Sequence, residues 1–266
     1  MSVRRQFVKR QRPNFGRQNR VTNHGQIMKT LILIAFSLLL PPVLWAQASL
    51  ASFTKETDAF LQAHVNDGRV AYANLKKDPS VISKLYAQAG AMNLSGASAA
   101  EKKAFYINAY NLAVIHQVVE NYPIKSPMDV PGFFDKKQQK VAGENMTLNQ
   151  LEKEKLLKAY SDARVHFAVV CAAKGCPVID NNAYTAQNLD AQLDARAKLA
   201  LNSSYFIRVD SGKKSVDVSK IFEWYADDFK KGGKSVLAYI NGFRQQDIPG
   251  NYKVGTYEYD WSLNSR

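Results

Sequence analysis

Ser98-Ala-Ala-Glu-Lys-Lys-Ala-Phe-Tyr-Ile-Asn-Ala-Tyr-Asn-Leu-Ala-Val-Ile-His-Gln-Val-Val-Glu-Asn-Tyr-Pro123 carries its own start and stop. Ser98 with Glu101 three positions on has the form of a capping box. Tyr122-Pro123 ends a helix, because proline disfavours the α conformation in the residue before it. The stretch therefore predicts a long helix that begins after Ser98 and runs to about Glu120. At about 100° per residue, Phe105, Leu112, Ile115, Val118 and Val119 share one side, with Tyr106, Tyr110 and Gln117 opposite. Asn108 sits at the centre of the apolar stripe and Asn111 on its flank. A buried amide without partners costs about 1–3 kcal/mol. Two of them one turn apart imply that the helix packs against polar backbone or lines a site.

Outward from this helix, the pattern is one of helices with a few short strands. Phe53, Thr57, Phe60, Leu61, His64 and Val65 have helical spacing and end at Asn66-Asp67-Gly68. Val70 to Leu75 reads as a short extended segment, and Pro123 to Gly143 as a loop with a basic tip at Lys136-Lys137. Thr147-Leu-Asn-Gln150 is a second capping box and opens a helix to about Tyr160. Arg164 to Val170 is apolar on both faces and reads as an internal strand. A helix from Thr185 to near Asn202 precedes a hairpin, Tyr205–Val209 and Ser215–Val218, turning at Asp210-Ser-Gly-Lys213. Ser219 to Phe229 and Ser235 to Phe243 read as helical, and the alternation of Tyr257, Tyr259, Trp261 and Leu263 as a half-buried strand. The class is α+β, helices packed around a small, mostly antiparallel sheet.

The chain has 266 residues, with 36 Lys and Arg against 23 Asp and Glu, 46% apolar and 22% charged residues, and two cysteines. Such fractions exclude disordered, collagenous and disulfide-framework classes. The formal charge of +13 is uneven: residues 1–48 hold eight Lys or Arg and no acid, leaving 28 basic against 23 acidic residues elsewhere. A nucleic-acid partner is therefore not expected. Met28-Lys29, the apolar run 30–40, Pro41-Pro42 and Ala46-Gln47-Ala48 have the order of a secretory signal: basic, apolar, cleavage site. The double proline keeps the run short of the roughly 20 residues a membrane anchor needs. Residues 1–48 are thus expected to be a signal peptide with an extended basic n-region, or to include a misassigned start with Met28 as initiator. Cleavage after Ala48 leaves a single globular domain, 49–266, periplasmic or secreted, with no stable membrane anchor.

Two alternatives stand for Cys171-Ala-Ala-Lys-Gly-Cys176. In an oxidising compartment the pair closes a disulfide, worth about 2 kcal/mol as chain entropy. Otherwise Cys171 is a free thiol nucleophile with His166 as its base. Five residues along a straight strand would separate these two and face them oppositely, so they meet only if the strand ends or bends before Cys171. His166, in an apolar stretch, needs partners for both nitrogens. Asn108 and Asn111 are candidates to orient it or to bind a substrate. His64 and His116 have no ligand spacing, so neither a metal nor another cofactor is expected. Gly232-Gly-Lys-Ser235 lacks the first glycine of a phosphate loop, Asp228 standing there, and follows a helix rather than a strand.

Several blocks together resemble the domain-of-unknown-function 547 family. They are Ala104-Phe-Tyr-Ile-Asn-Ala-Tyr-Asn111, Tyr122-Pro-Ile-Lys-Ser126, Arg164-Val-His-Phe-Ala168 with Cys171 through Pro177, Ala183-Tyr-Thr-Ala-Gln-Asn188, Val218-Ser-Lys-Ile-Phe-Glu-Trp-Tyr225 and Tyr259-Asp-Trp-Ser-Leu263. Tyr106 stands where tryptophan is expected. The resemblance implies a scaffold grouped with papain-like cysteine peptidases and transglutaminases, in which the nucleophile starts a central helix and the base lies on a following strand. Matched to this chain, Asn108 falls near the nucleophile position and His166 at the base. The helix has no cysteine there, a departure from peptidase chemistry. The expected function is a cysteine-dependent hydrolase or transferase acting on amide or thioester bonds through Cys171 and His166. The alternative is a non-catalytic envelope protein that binds a small molecule, peptide or glycan in the same cleft.

Overall fold

The structure, a computed structural model, describes residues 49–266; the signal peptide expected over 1–48 lies outside them. Helix α1 (Leu50–His64) starts at Ser49, whose hydroxyl accepts from the Ser52 amide, and buries Phe53, Thr57, Phe60 and Leu61. A minimal antiparallel pair, β1 (Val65–Asn66) and β2 (Arg69–Val70), turns at Asp67-Gly68. The extended segment expected over 70–75 stops there. Tyr72 and Leu75, three apart, are buried together in α2 (Tyr72–Lys77), and α3 (Ser80–Ala91) follows.

Helix α4 (Ala99–Asn121) forms as the capping box dictates: the Ser98 hydroxyl accepts from the Glu101 amide, and the Glu101 carboxylate accepts from Ser98. It is buried on nearly all sides, Tyr110 and Gln117 included, rather than on one stripe. Helices α1, α2, α3 and the segment after Thr147 all pack on it, so a helix and not a sheet lies at the centre of this first core. The loop expected over 123–143 contains a hairpin, β3 (Gln138–Val141) with β4 (Glu144–Thr147), turning on Ala142 and Gly143, both left-handed. Gln139 disguised it: the residue faces inward, bonded to the Gln117 side chain, so a polar run alternates as a strand.

After β4 the chain stays helical to Tyr160, as expected, but in three pieces: α5 (Leu148–Gln150), a π-helical stretch Leu151–Leu157 and α6 (Lys158–Tyr160). The internal strand expected over 164–170 is instead a 3₁₀ helix, Ala163–Phe167. A short segment apolar on both faces suits a buried helical turn as well as a buried strand. Asp162 selects the turn by accepting from the Arg164 amide. Helix α7 (Leu189–Asn202) begins four residues later than expected.

A second core forms around β5 (Ile207–Asp210) and β6 (Ser215–Val218), the expected hairpin, flanked by α7, α8 (Ile221–Trp224), α9 (Ala226–Phe229) and α10 (Val236–Asn241). Strand β7 (Lys253–Thr256) adds to β6 in parallel. The ladder ends there, and beyond it 257–263 makes only a single antiparallel bridge, Leu263 to Ala173, rather than the expected strand. Its exposure still alternates because the segment lies along 173–175: Lys174 and Gly175 amides donate to Ser262 and Asp260 carbonyls, each at 2.7 Å. The class is α+β, with three small, mostly antiparallel sheets among the described residues.

Candidate functional site

Tyr225 and Tyr259 are packed against both cores, and a cavity of about 600 Å³ opens beside them. Its wall draws on α4 (Tyr110), the π-helical stretch (Glu152, Lys153), the 3₁₀ helix (His166), α8 (Trp224) and the C-terminal segment (Tyr259, Trp261). Cys171 and Cys176 line it as well.

His166 is 3% exposed and lies between two carboxylates. Its Nε2 is 3.0 Å from Asp228 Oδ2, and its Nδ1 is 3.6 Å from Glu152 Oε1. The ring packs on Tyr225 at 4.2 Å and Phe229 at 5.2 Å between centroids. The 3₁₀ turn presents His166 to the cavity while Val165 enters the first core and Phe167 the second. Glu152 is buried on the π-helical stretch, a local widening that recurs at functional sites. Burial works to raise the Asp228 carboxyl, but hydrogen bonds from His166 and Lys231 outweigh it and hold it below the usual carboxylate range. Burial, and then the negative charge of Glu152, pushes the Tyr225 and Tyr110 phenols up; Tyr225 also bonds to Glu152. Burial does the same to Tyr259. All three phenols therefore keep their protons at neutral pH; Tyr225 bonds to Glu152 and Tyr259 donates to Cys176 Sγ.

The alternatives for the cysteines resolve to a disulfide, Cys171–Cys176. A thiol nucleophile at Cys171 is thus absent from this form of the protein. The Cys171 amide donates to Cys176 Sγ at 2.9 Å, and the Tyr259 hydroxyl stands 3.1 Å and 3.0 Å from the two sulfurs. Because the 3₁₀ helix replaces the strand, His166 and Cys171 do line one cavity.

Asn108 and Asn111 are placed elsewhere. Asn108 donates to the Tyr184 carbonyl at 2.8 Å and accepts from its amide at 2.9 Å. Asn111 donates to Ala168 O at 2.9 Å and accepts from Val170 N at 3.0 Å. Each amide acts as a one-residue strand partner for irregular backbone, and neither faces the cavity. Asn111 holds the segment joining His166 to Cys171, so it positions both.

Sequence reasoning missed Glu152, Asp228 and the aromatic wall. Glu152 had a signal: with Leu148 and Leu151 it falls at i, i+3, i+4 on the apolar face of its helix, the same anomaly that marked Asn108. Asp228 had none, since its role depends on a partner 62 residues away.

Helices gathered on a buried central helix, beside a small mixed sheet, with a His–carboxylate and disulfide cavity at the seam, define this α+β protein. Residues 94–199 match the family model described as "Protein of unknown function, DUF547". The match holds α4, Glu152, His166 and both cysteines; Tyr225, Asp228, Tyr259 and the tryptophans lie beyond it. No curated protein and no solved structure matches the chain.

Proposed function

We propose that this is an exported binding protein, periplasmic or secreted, that holds an oligosaccharide in the 600 Å³ cavity. Trp224 carries this reading: it lines the cavity, is 47% exposed, and stacks near Trp261 at 5.9 Å and 26°. A sugar ring offers an apolar C–H face to such an indole and hydroxyls to nearby polar groups. Glu152, Asn149, Asp135 and Lys153 supply those groups in the same wall. Export rests on the order of charge, apolar run and small residues over 28–48. The test is tryptophan fluorescence during titration with defined oligosaccharides and, separately, short peptides. Saturable change with an oligosaccharide, abolished in Trp224→Ala, supports the proposal; a response to peptides alone overturns it in favour of a peptide binder.

A second reading has one observation in its favour: His166 and Cys171 line the same cavity. If Cys171 is reduced in the working protein, the pair becomes a thiol and base acting on amide or thioester bonds. The papain-like arrangement implied by the family resemblance belongs to this reading, with α4 as central helix and His166 contributed from a later segment. Labelling of reduced Cys171 by a thiol-directed electrophile then depends on His166; labelling equal in His166→Ala removes the reading.

A further inference from the structure

We propose that the Cys171–Cys176 disulfide is a thiol–disulfide exchange site whose substrate is an accessible thiol, on a peptide or a small molecule, entering the large cavity. This goes beyond oligosaccharide binding and does not require it.

The two sulfurs are not equivalent. Cys176 is buried, at 5%, whereas Cys171 is half-buried. The Cys171 amide donates to Cys176 Sγ at 2.9 Å, and the Tyr259 hydroxyl, set between the sulfurs at 3.1 Å from Cys171 Sγ and 3.0 Å from Cys176 Sγ, can turn its proton onto Cys176 once the bond opens. Hydrogen bonds to an ionised sulfur are stronger than to a neutral one, so this arrangement stabilises Cys176 as a leaving thiolate. Ala172, inside the ring, is held at φ 60°, a left-handed conformation that its Cβ opposes. A smaller cavity of about 210 Å³ also reaches Cys176 and contains Arg69 and Lys174 beside Asp67. Arg69 Nη1 is buried without a hydrogen-bond partner.

The exchange follows from this asymmetry. A substrate thiolate attacks Cys171 Sγ; the new sulfur–sulfur bond forms as the Cys171–Cys176 bond breaks. The electron pair goes to Cys176 Sγ, held by the Cys171 amide and the Tyr259 hydroxyl. A second substrate thiolate attacks the substrate sulfur of the mixed disulfide, and Cys171 leaves as thiolate. Two substrate thiols are thereby oxidised to one disulfide, and the protein disulfide is reduced to two thiols. Exchange in the reverse direction with a disulfide-bonded partner restores it.

The test uses the folded, exported protein incubated with reduced glutathione, acid-quenched at intervals and read by intact mass and peptide mapping. The expected result is opening without denaturant, a transient glutathione adduct on Cys171, and opening slowed about tenfold in Tyr259→Phe, the effect of losing one charge-assisted hydrogen bond. Circular dichroism of Tyr259→Phe confirms that the variant is folded. Should that variant not fold, the position of the adduct in the unmodified chain decides. A disulfide that opens only on unfolding, an adduct on Cys176, or an unchanged rate in folded Tyr259→Phe overturns the proposal. None of these outcomes bears on oligosaccharide binding, which is read separately by fluorescence.

Discussion

The central helix and the seam between the cores both bury polar side chains, but they spend them differently. On α4, Asn108 and Asn111 are 1% and 3% exposed, and each makes two hydrogen bonds to the backbone of another segment. At the seam, Glu152, His166, Asp228 and Tyr225 meet one another, and all but Asp228 line the cavity, where Tyr259 bonds to the disulfide. Polar groups turned onto backbone hold irregular chain where no strand is available. Polar groups turned onto each other and toward a cavity remain available to a ligand. The buried amide and the buried carboxylate look alike in a helical pattern, and only their partners distinguish them.

The largest expected effect breaks the first half of that contrast. Asn108→Ala leaves the Tyr184 amide and carbonyl without the partner Asn108 gave them. At about 1–3 kcal/mol per orphaned group, the loss is about 4 kcal/mol. For a domain of this length the midpoint falls on the order of 10 °C, measurable by thermal unfolding. Asn111→Ala should cost as much and also loosen the segment between His166 and Cys171. Loss below about 1 kcal/mol in either variant would mean that water or a neighbour replaces the amide, and the backbone-holding role would fall.

How much of this was legible follows from where each partner lies. The α4 capping box, the box at Thr147 and the hairpin 207–218 were readable because every determining residue sits within a few positions of the element it shapes. The 3₁₀ helix was not, since Val165, Phe167 and Val169 satisfy a buried strand and a buried turn equally. The β3–β4 hairpin was hidden because Gln139 is buried against Gln117, 22 residues away. At the site, His166 and Cys171 were visible by residue type, and their meeting was conditional on a bend that the sequence does not display. Asn108 and Asn111 were correctly marked as buried amides needing partners, yet the sequence could not distinguish backbone from ligand.

Next in size is the anchor that feeds His166 into the seam. Asp162 caps the 3₁₀ helix and is gripped by Lys103 at 2.6 Å and by Arg164 through two nitrogens at 3.0 and 2.8 Å. Burial works to raise its carboxyl, but these bonds outweigh burial and hold it at about 2. Because the folded value lies below the unfolded one, this stability is present above the unfolded value near 3.9 and fades as pH falls through about 2. Asp162→Asn, which keeps the cap, should therefore cost about 2 kcal/mol at pH 7, with the difference from the parent vanishing on acidification. Denaturant unfolding at several pH values checks this; a difference constant with pH would show that the charge is not what Asp162 contributes.

Glu152→Gln sharpens the second half of the comparison, since it keeps shape and removes charge at the seam. The Glu152 charge is one cause of the raised Tyr225 and Tyr110 phenols, after burial. Its removal should let both titrate at lower pH, seen in the ultraviolet tyrosinate band, while stability changes by no more than about 1.5 kcal/mol. An unmoved band would show that burial alone sets these phenols, and that Glu152 does not govern the electrostatics of the cavity.

The smallest effect comes from the exposed end of α4, where the same helix again turns side chains onto backbone. Ser98 and Glu101 bond to each other's amides as Asn108 and Asn111 bond to distant ones, but Ser98 and its partner amides are reached by water. Burial, not bond count, should therefore separate the two ends of the helix. Ser98→Ala loses the hydroxyl that caps Glu101 N, and the expected cost is about 1 kcal/mol, against about 4 kcal/mol for Asn108→Ala. Comparable losses in the two variants, measured side by side by denaturant unfolding, would mean that the amide clamps of the core are worth no more than a surface cap, and that the packing of α4 rather than its polar pairing holds the irregular segments in place.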